Sequence, residues 1–91
     1  MTFMLCRNRV ADFQRWKEVF SSHAPAHKAA GLQLIKLWRG VEDPNEIFFA
    51  FEVVSMDKAR AFISNPEAAQ AAKTSGVLEG EYRFVEDAGG Y

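Results

Sequence analysis

The chain has a single cysteine, Cys6, among 91 residues, so no intrachain disulfide can form and no cysteine-rich zinc site can be built. Neither sign of charge dominates: eleven Lys and Arg stand against twelve Asp and Glu, a formal net charge of −1. Without a basic run the electrostatic footprint of a nucleic-acid binder is missing. No apolar stretch approaches the roughly 20 residues that a helix needs to cross a bilayer. The opening segment, Met1 to Val10, has only a short apolar run with no basic residue before it. That is too short for the apolar core and cleavage site of a signal peptide. A soluble cytoplasmic protein with no membrane or nucleic-acid partner is therefore expected. A glycine-rich phosphate loop, a G-x-S-x-G elbow and a cysteine with an evident base are also missing, which argues against nucleotide use and against serine or cysteine hydrolysis.

What the chain has in quantity is apolar surface. Hydrophobic residues make up 48%, with eight Phe and two Trp. A single domain of this length buries only about 60–65% of the surface its unfolded chain exposes, so one small core cannot hide all of it. The segment Glu46 to Val54, EIFFAFEVV, concentrates the problem. In a strand, Ile47, Phe49, Phe51 and Val53 point one way and Phe48, Ala50 and Val54 the other, interrupted by Glu52. A strand that is apolar on both faces needs cover on both.

The rest of the chain has helices for one side only. Thr2 to Val10 is a first strand, with Phe3 and Leu5 opposed to Met4, Cys6 and Val10. Phe13, Trp16, Val19 and Phe20 then recur at helical spacing, with Asp12 placed as N-cap or first-turn acid. Pro25 interrupts this helix near His23 and starts a short further turn through Ala30, and Gly31 suits a helix end. A second strand runs from Leu32 to Arg39, with Leu32, Leu34 and Trp38 on one side and Ile35 and Leu37 on the other. Gly40 to Asn45 makes a hairpin loop before the two-faced strand. Ser55 caps a second helix, with Ala59, Phe62 and Ile63 inward, and Asn65-Pro66-Glu67 starts a fresh one that reaches Gly76. A last strand spans Glu81 to Glu86, and residues 86–91 end in a loose tail. The expected fold is α+β: a ferredoxin-like β-α-β-β-α-β chain, one domain over 1–91. Right-handed crossovers put the helices on one face of one antiparallel four-stranded sheet. The open face then calls for a second copy, packed sheet to sheet.

Few residues offer chemistry. His23 and His27 lie four apart, a spacing that can serve a metal on a helix face. Pro25 spoils that geometry and no third ligand accompanies them, so neither a metal nor a cofactor is expected. His23, at the helix break, is the candidate acid–base group, since imidazole titrates near neutrality; the plain alternative is two helix-end histidines in water. Trp16 and Trp38, if they face each other across the helix–sheet gap, would wall a cavity for a planar aromatic molecule; as core anchors they would simply fill it. Asn8 is a polar group on a largely apolar strand face and needs a partner, either a ligand or a backbone group. Glu52 poses the same question. Arg7, Arg9, Arg39 and Arg83 are read as strand-end or rim charges, one of which can pair with Glu52 or attract an anion.

Three segments together resemble a known family: Val10 to His23 (VADFQRWKEVFSSH), the Ala29-Ala30-Gly31 turn, and Ala59 to Pro66 (ARAFISNP). They are similar to the dimeric α/β-barrel superfamily, in particular its small stand-alone members of the cyclase-like and antibiotic-biosynthesis-monooxygenase-like kind. The resemblance spans nearly the whole chain and rests on core and capping residues. It implies a homodimer in which two ferredoxin-like sheets close a barrel with helices outside, and a pocket between helices and sheet. Some members oxidise polycyclic phenols without a cofactor, some cyclise polyketides, some degrade or bind haem, and others have no known reaction. For this chain it implies the location of a pocket and a small aromatic or polyketide-like ligand; His23 as the catalytic candidate and Asn8, Trp16 and Trp38 as ligand contacts come from the residues themselves, not from a matched catalytic set. A non-catalytic dimeric binding module is the alternative.

Overall fold

The computed structural model describes all 91 residues. Its elements are β1 (Thr2–Val10), α1 (Phe13–Ser22), α2 (Ala24–Ala29), β2 (Leu32–Arg39), β3 (Glu46–Val53), α3 (Met56–Ser64), α4 (Pro66–Ser75) and β4 (Val77–Glu86). The strands form one sheet in the order β2-β3-β1-β4, every neighbouring pair antiparallel. Each helical crossover of the ferredoxin-like plan is thus split into two helices.

Local chemistry accounts for the splits. The Asp12 carboxylate accepts from the Gln14 N–H and opens α1, satisfying one of the free donors of its first turn. At His23 the chain leaves helical geometry for one residue, and Pro25 then sits in the first turn of α2, where a missing N–H costs nothing. Ser55 caps α3 through the Lys58 N–H. Asn65 is extended, ending α3 and capping α4 through the Glu67 N–H at 2.9 Å, with Pro66 at the first position. Gly76 closes α4 in the left-handed conformation, φ 81°, which glycine alone adopts without strain.

The helices cover the face that carries Met4, Cys6, Val10, Ile47, Phe49 and Phe51, and with Trp16, Leu32, Val53 and Ala59 these make the core. Side chains of β1 and β3 alternate as the sequence predicts. Two expectations fail. The last strand begins at Val77 rather than Glu81, since Gly80, Glu79 and Val77 also pair with β1, opposite Asn8, Arg9 and Val10. In β2 the register shifts between Leu34 and Lys36. Leu34 pairs with Phe51 and Leu37 with Phe49, whereas Trp38 pairs with Phe48. The bulge at Ile35 reverses the parity of everything after it. Leu32, Leu34 and Leu37 therefore share the helix face, and Trp38 lies on the opposite one.

That opposite face is uncovered. Leu5, Trp38 and Val85 are 43%, 44% and 37% exposed upon it. At one end Arg7 reaches Glu46 at 2.8 Å, Glu79 at 3.2 Å and Glu81 at 3.7 Å, and Arg9 reaches Glu79. Arg7 is held still more firmly protonated, first by its hydrogen bond to Glu46. The Glu79 carboxyl is held below its usual range, chiefly by its hydrogen bond to Arg7.

Candidate functional site

A cleft of about 730 Å³ lies between the sheet and the helices α1, α2, α3 and α4, within the range of about 300–1,000 Å³ typical of small-molecule sites. Met4, Cys6, Phe49 and Phe51 form its floor on the sheet. Trp16 and Phe20 enter from α1, Phe62 from α3, and Ala68 and Ala72 from α4. Small alanines on α4 leave the space that longer side chains would fill. Lys58 and Glu67, both exposed, stand at the mouth.

The aromatic wall is continuous. Trp16 stacks on Phe20 at 4.6 Å and tilts against Phe49 at 5.6 Å. Phe20 in turn meets Phe49 at 5.1 Å. Offset and edge contacts of this kind hold rings in fixed orientations, so the wall is rigid before any ligand arrives.

Asn8, Trp16 and His23 all line this cleft. Trp38 is not among its walls; the bulge in β2 sends it to the uncovered face, so the two tryptophans do not oppose each other. Asn8 projects beside Gly80, where a Cβ would come within 2.9 Å of its Oδ1. Glycine there leaves room for the amide, which makes no hydrogen bond to the protein. Glu52 sits opposite Phe3 and Gln33, on the uncovered face. Of the arginines, Arg39 bonds the Pro44 carbonyl and lies 3.8 Å over the Phe13 ring, and Arg83 bonds the Tyr82 carbonyl.

The histidines divide the work differently from expectation. His23 is half-buried, with Nδ1 2.8 Å from the Val19 carbonyl. A carbonyl only accepts, so Nδ1 is assigned a proton, and in the neutral imidazole Nε2 is then the nitrogen with the lone pair. Ser22 Oγ donates to the same carbonyl at 2.6 Å. His27, expected to lie beyond the site, instead packs its ring against Phe20 at 5.0 Å, Phe51 at 5.1 Å and Phe62 at 5.6 Å. Burial pushes its pKa down, and a charge on His23 pushes it further. The signal was present in the chain: Trp16, Phe20, His23 and His27 follow one helical stripe, which continues across the break. Cys6 is buried and its thiol is pushed up to about 12 by desolvation, so it is an apolar wall and no nucleophile. No three His, Cys, Asp or Glu side chains converge as metal ligands.

Comparison with solved structures identifies the class of fold. A candidate antibiotic biosynthesis monooxygenase from Bordetella bronchiseptica superposes with a TM-score of 0.77 over 96% of each chain, at 13% identity. A second, from Deinococcus radiodurans, gives 0.70 over 100% of this chain and 96% of that one, also at 13% identity. A NIPSNAP-family protein of unknown function from Agrobacterium tumefaciens gives 0.71 over 97% and 88%, at 14% identity. The chain thus has the ferredoxin-like fold shared by these monooxygenase-like and NIPSNAP proteins. No protein-family model and no curated protein sequence matches it. No helix is long and apolar enough to cross a membrane.

Proposed function

We propose that the protein binds a small, flat aromatic or polyketide-like molecule in the helix–sheet cleft and acts on it without a cofactor, as monooxygenase- or cyclase-like enzymes do. One observation carries this reading. The cleft is walled by stacked aromatic rings, yet it holds one amide, Asn8, with no partner in the protein, and one imidazole, His23, whose tautomer leaves Nε2 open.

The step common to both reactions is removal of an acidic proton. His23 Nε2 takes a phenolic or activated methylene proton, and the Asn8 amide donates to the oxygen on which charge develops. His27 stays neutral beside it, because a second charge would be both buried and repelled. In the oxygenase case the ring methylene becomes a carbonyl. It gains one atom of O₂ and loses two hydrogens, which leave with the other oxygen atom as water. The electrons come from the substrate and the oxidant is dioxygen, so no further reductant is needed. A second copy packed on the uncovered sheet face completes the proposed assembly.

The test uses 1,8-dihydroxyanthrone in air and in metal-free buffer, with Trp16 emission isolated in the Trp38→Phe variant. Binding should quench Trp16, and the anthraquinone should appear faster than in buffer alone; His23→Ala should remove that acceleration and leave the quenching. Neither imidazole has a carboxylate to orient it, and this favours the second reading, a non-catalytic dimeric binding module. That reading predicts quenching without turnover. No quenching by anthrones or naphthols would overturn both.

A further inference from the structure

On the other side of the α1–α2 arm is a second cleft, of about 660 Å³. It is separated from the first by the rings of Phe20, His27 and Phe51, which border both. Its floor is the start of the edge strand β2, where Leu32 and Leu34 lie on the helix face, joined by Phe51 of β3. Leu34 is 43% exposed there, more than a side chain on a packed face needs to be.

The charge around this apolar floor has one sign. Lys17, Ser21, Ala24 and Lys28 follow one another at spacings of four, three and four, a single helical stripe that faces the cleft. Neither lysine has an ion-pair partner, since every salt bridge of the protein belongs to Arg7 or Arg9. No Asp or Glu lines the cleft. β2 is an edge strand, so alternate backbone N–H groups along it have no strand partner. Two unpaired ammonium groups over an apolar floor are complementary to a molecule with an apolar body and an anionic end.

We infer that this second cleft binds a small amphipathic carboxylate, with its apolar body on Leu32, Leu34 and Phe51 and its carboxylate at the edge of the cleft that carries Lys17 and Lys28. The site is independent of the reaction proposed above. It opens on the helix side of the sheet, so a partner on the opposite face leaves it accessible. The shared wall means that its occupant presses on the ring of His27.

The probe is 1-naphthoate, compared with the neutral 1-naphthamide, titrated into the ¹⁵N-labelled full chain and followed by amide and imidazole shifts. Naphthoate should shift Gly31, Leu32, Leu34 and Val54 together with the His27 ring, and bind more weakly as salt is raised. A hydrogen bond to a charged group is worth roughly tenfold or more in affinity. The Lys17→Gln, Lys28→Gln double variant should therefore lose at least about tenfold for naphthoate and nothing for the amide. Both substitutions are on the helix surface and leave the core intact. Shifts that fall instead on Trp16, Ala72 and Val77 would place the ligand in the first cleft and overturn the inference. Equal affinity of parent and double variant would do the same.

Discussion

Burial of the His27 ring among three phenylalanines disfavours its charged form, and a proton on His23 disfavours it further. The unfolded chain takes up this proton near the ordinary value of 6.5, the folded one only at lower pH. Between those two values the unfolded state holds more protons, so stability rises with pH. The contribution is complete above 6.5 and is lost as pH falls through the folded value. The melting temperature should therefore fall as pH is lowered from 7.5 towards 5, and His27→Phe should flatten that slope while keeping the ring contacts. Acid loss from Glu79 sets in only below the ordinary carboxylate value of 4.5 and is complete below its depressed folded value, so the two are separable. An unchanged slope in His27→Phe would mean that the ring is solvated. Phe51 is a harder case, 2% exposed and bordering both clefts. Phe51→Ala should cost about 3–5 kcal/mol, a large part of a small domain's margin, as measured by urea unfolding.

At the scale of elements, most of the chain could be read directly because each local cue had one physical meaning. Apolar alternation placed β1 and β3, and the capping side chains of Asp12, Ser55 and Asn65 placed three helix starts. What could not be read depended on partners far away in sequence. Ile35 is a good strand residue and carries no mark of a bulge; the extra residue becomes visible only when β2 is set against Phe49 and Phe51. The face of Trp38, and with it half of the imagined aromatic box, turned on that one residue. The early start of β4 likewise shows only when Gly80 is set opposite Asn8, whose side chain takes the space of the missing Cβ. The lining of the cleft was half legible for the same reason: Asn8, Trp16 and His23 could be expected along it, but His27 could be placed there only by following the core stripe through the break at Pro25. Asn65 is the element whose removal is simplest to test, since it ends one helix and starts the next. Asn65→Ala should cost about 1 kcal/mol, a fall of about 4–8 °C in melting temperature for a domain of this size. Differential scanning calorimetry would measure it, and a change below a degree would show that the cap is unimportant.

The whole molecule presents an imbalance that a single copy does not resolve. Only 12 of 91 residues are buried, although nearly half the chain is hydrophobic. The helix face of the sheet accounts for most of them, while Phe3, Leu5, Phe48, Trp38 and Val85 share a face that nothing covers. The ion cluster of Arg7 with Glu46, Glu79 and Glu81 lies at one end of that face. Exposed pairs of this kind add little stability on their own, but they can set the orientation of a partner. A second copy laid on the apolar stretch would bury on the order of 1,500–2,500 Å² in total, enough for a lasting interface. Light scattering coupled to size exclusion should therefore give twice the chain mass of 10.3 kDa at micromolar concentration. Leu5→Glu puts a charge at the centre of the apolar face without touching the helix-side core, and should shift the protein to monomer. The Trp38 emission should move to longer wavelength in the same variant, because its ring would pass from the interface into water. A parent protein that runs as a monomer at that concentration would sink the dimer, and a Leu5→Glu variant that stays dimeric would place the interface on another surface.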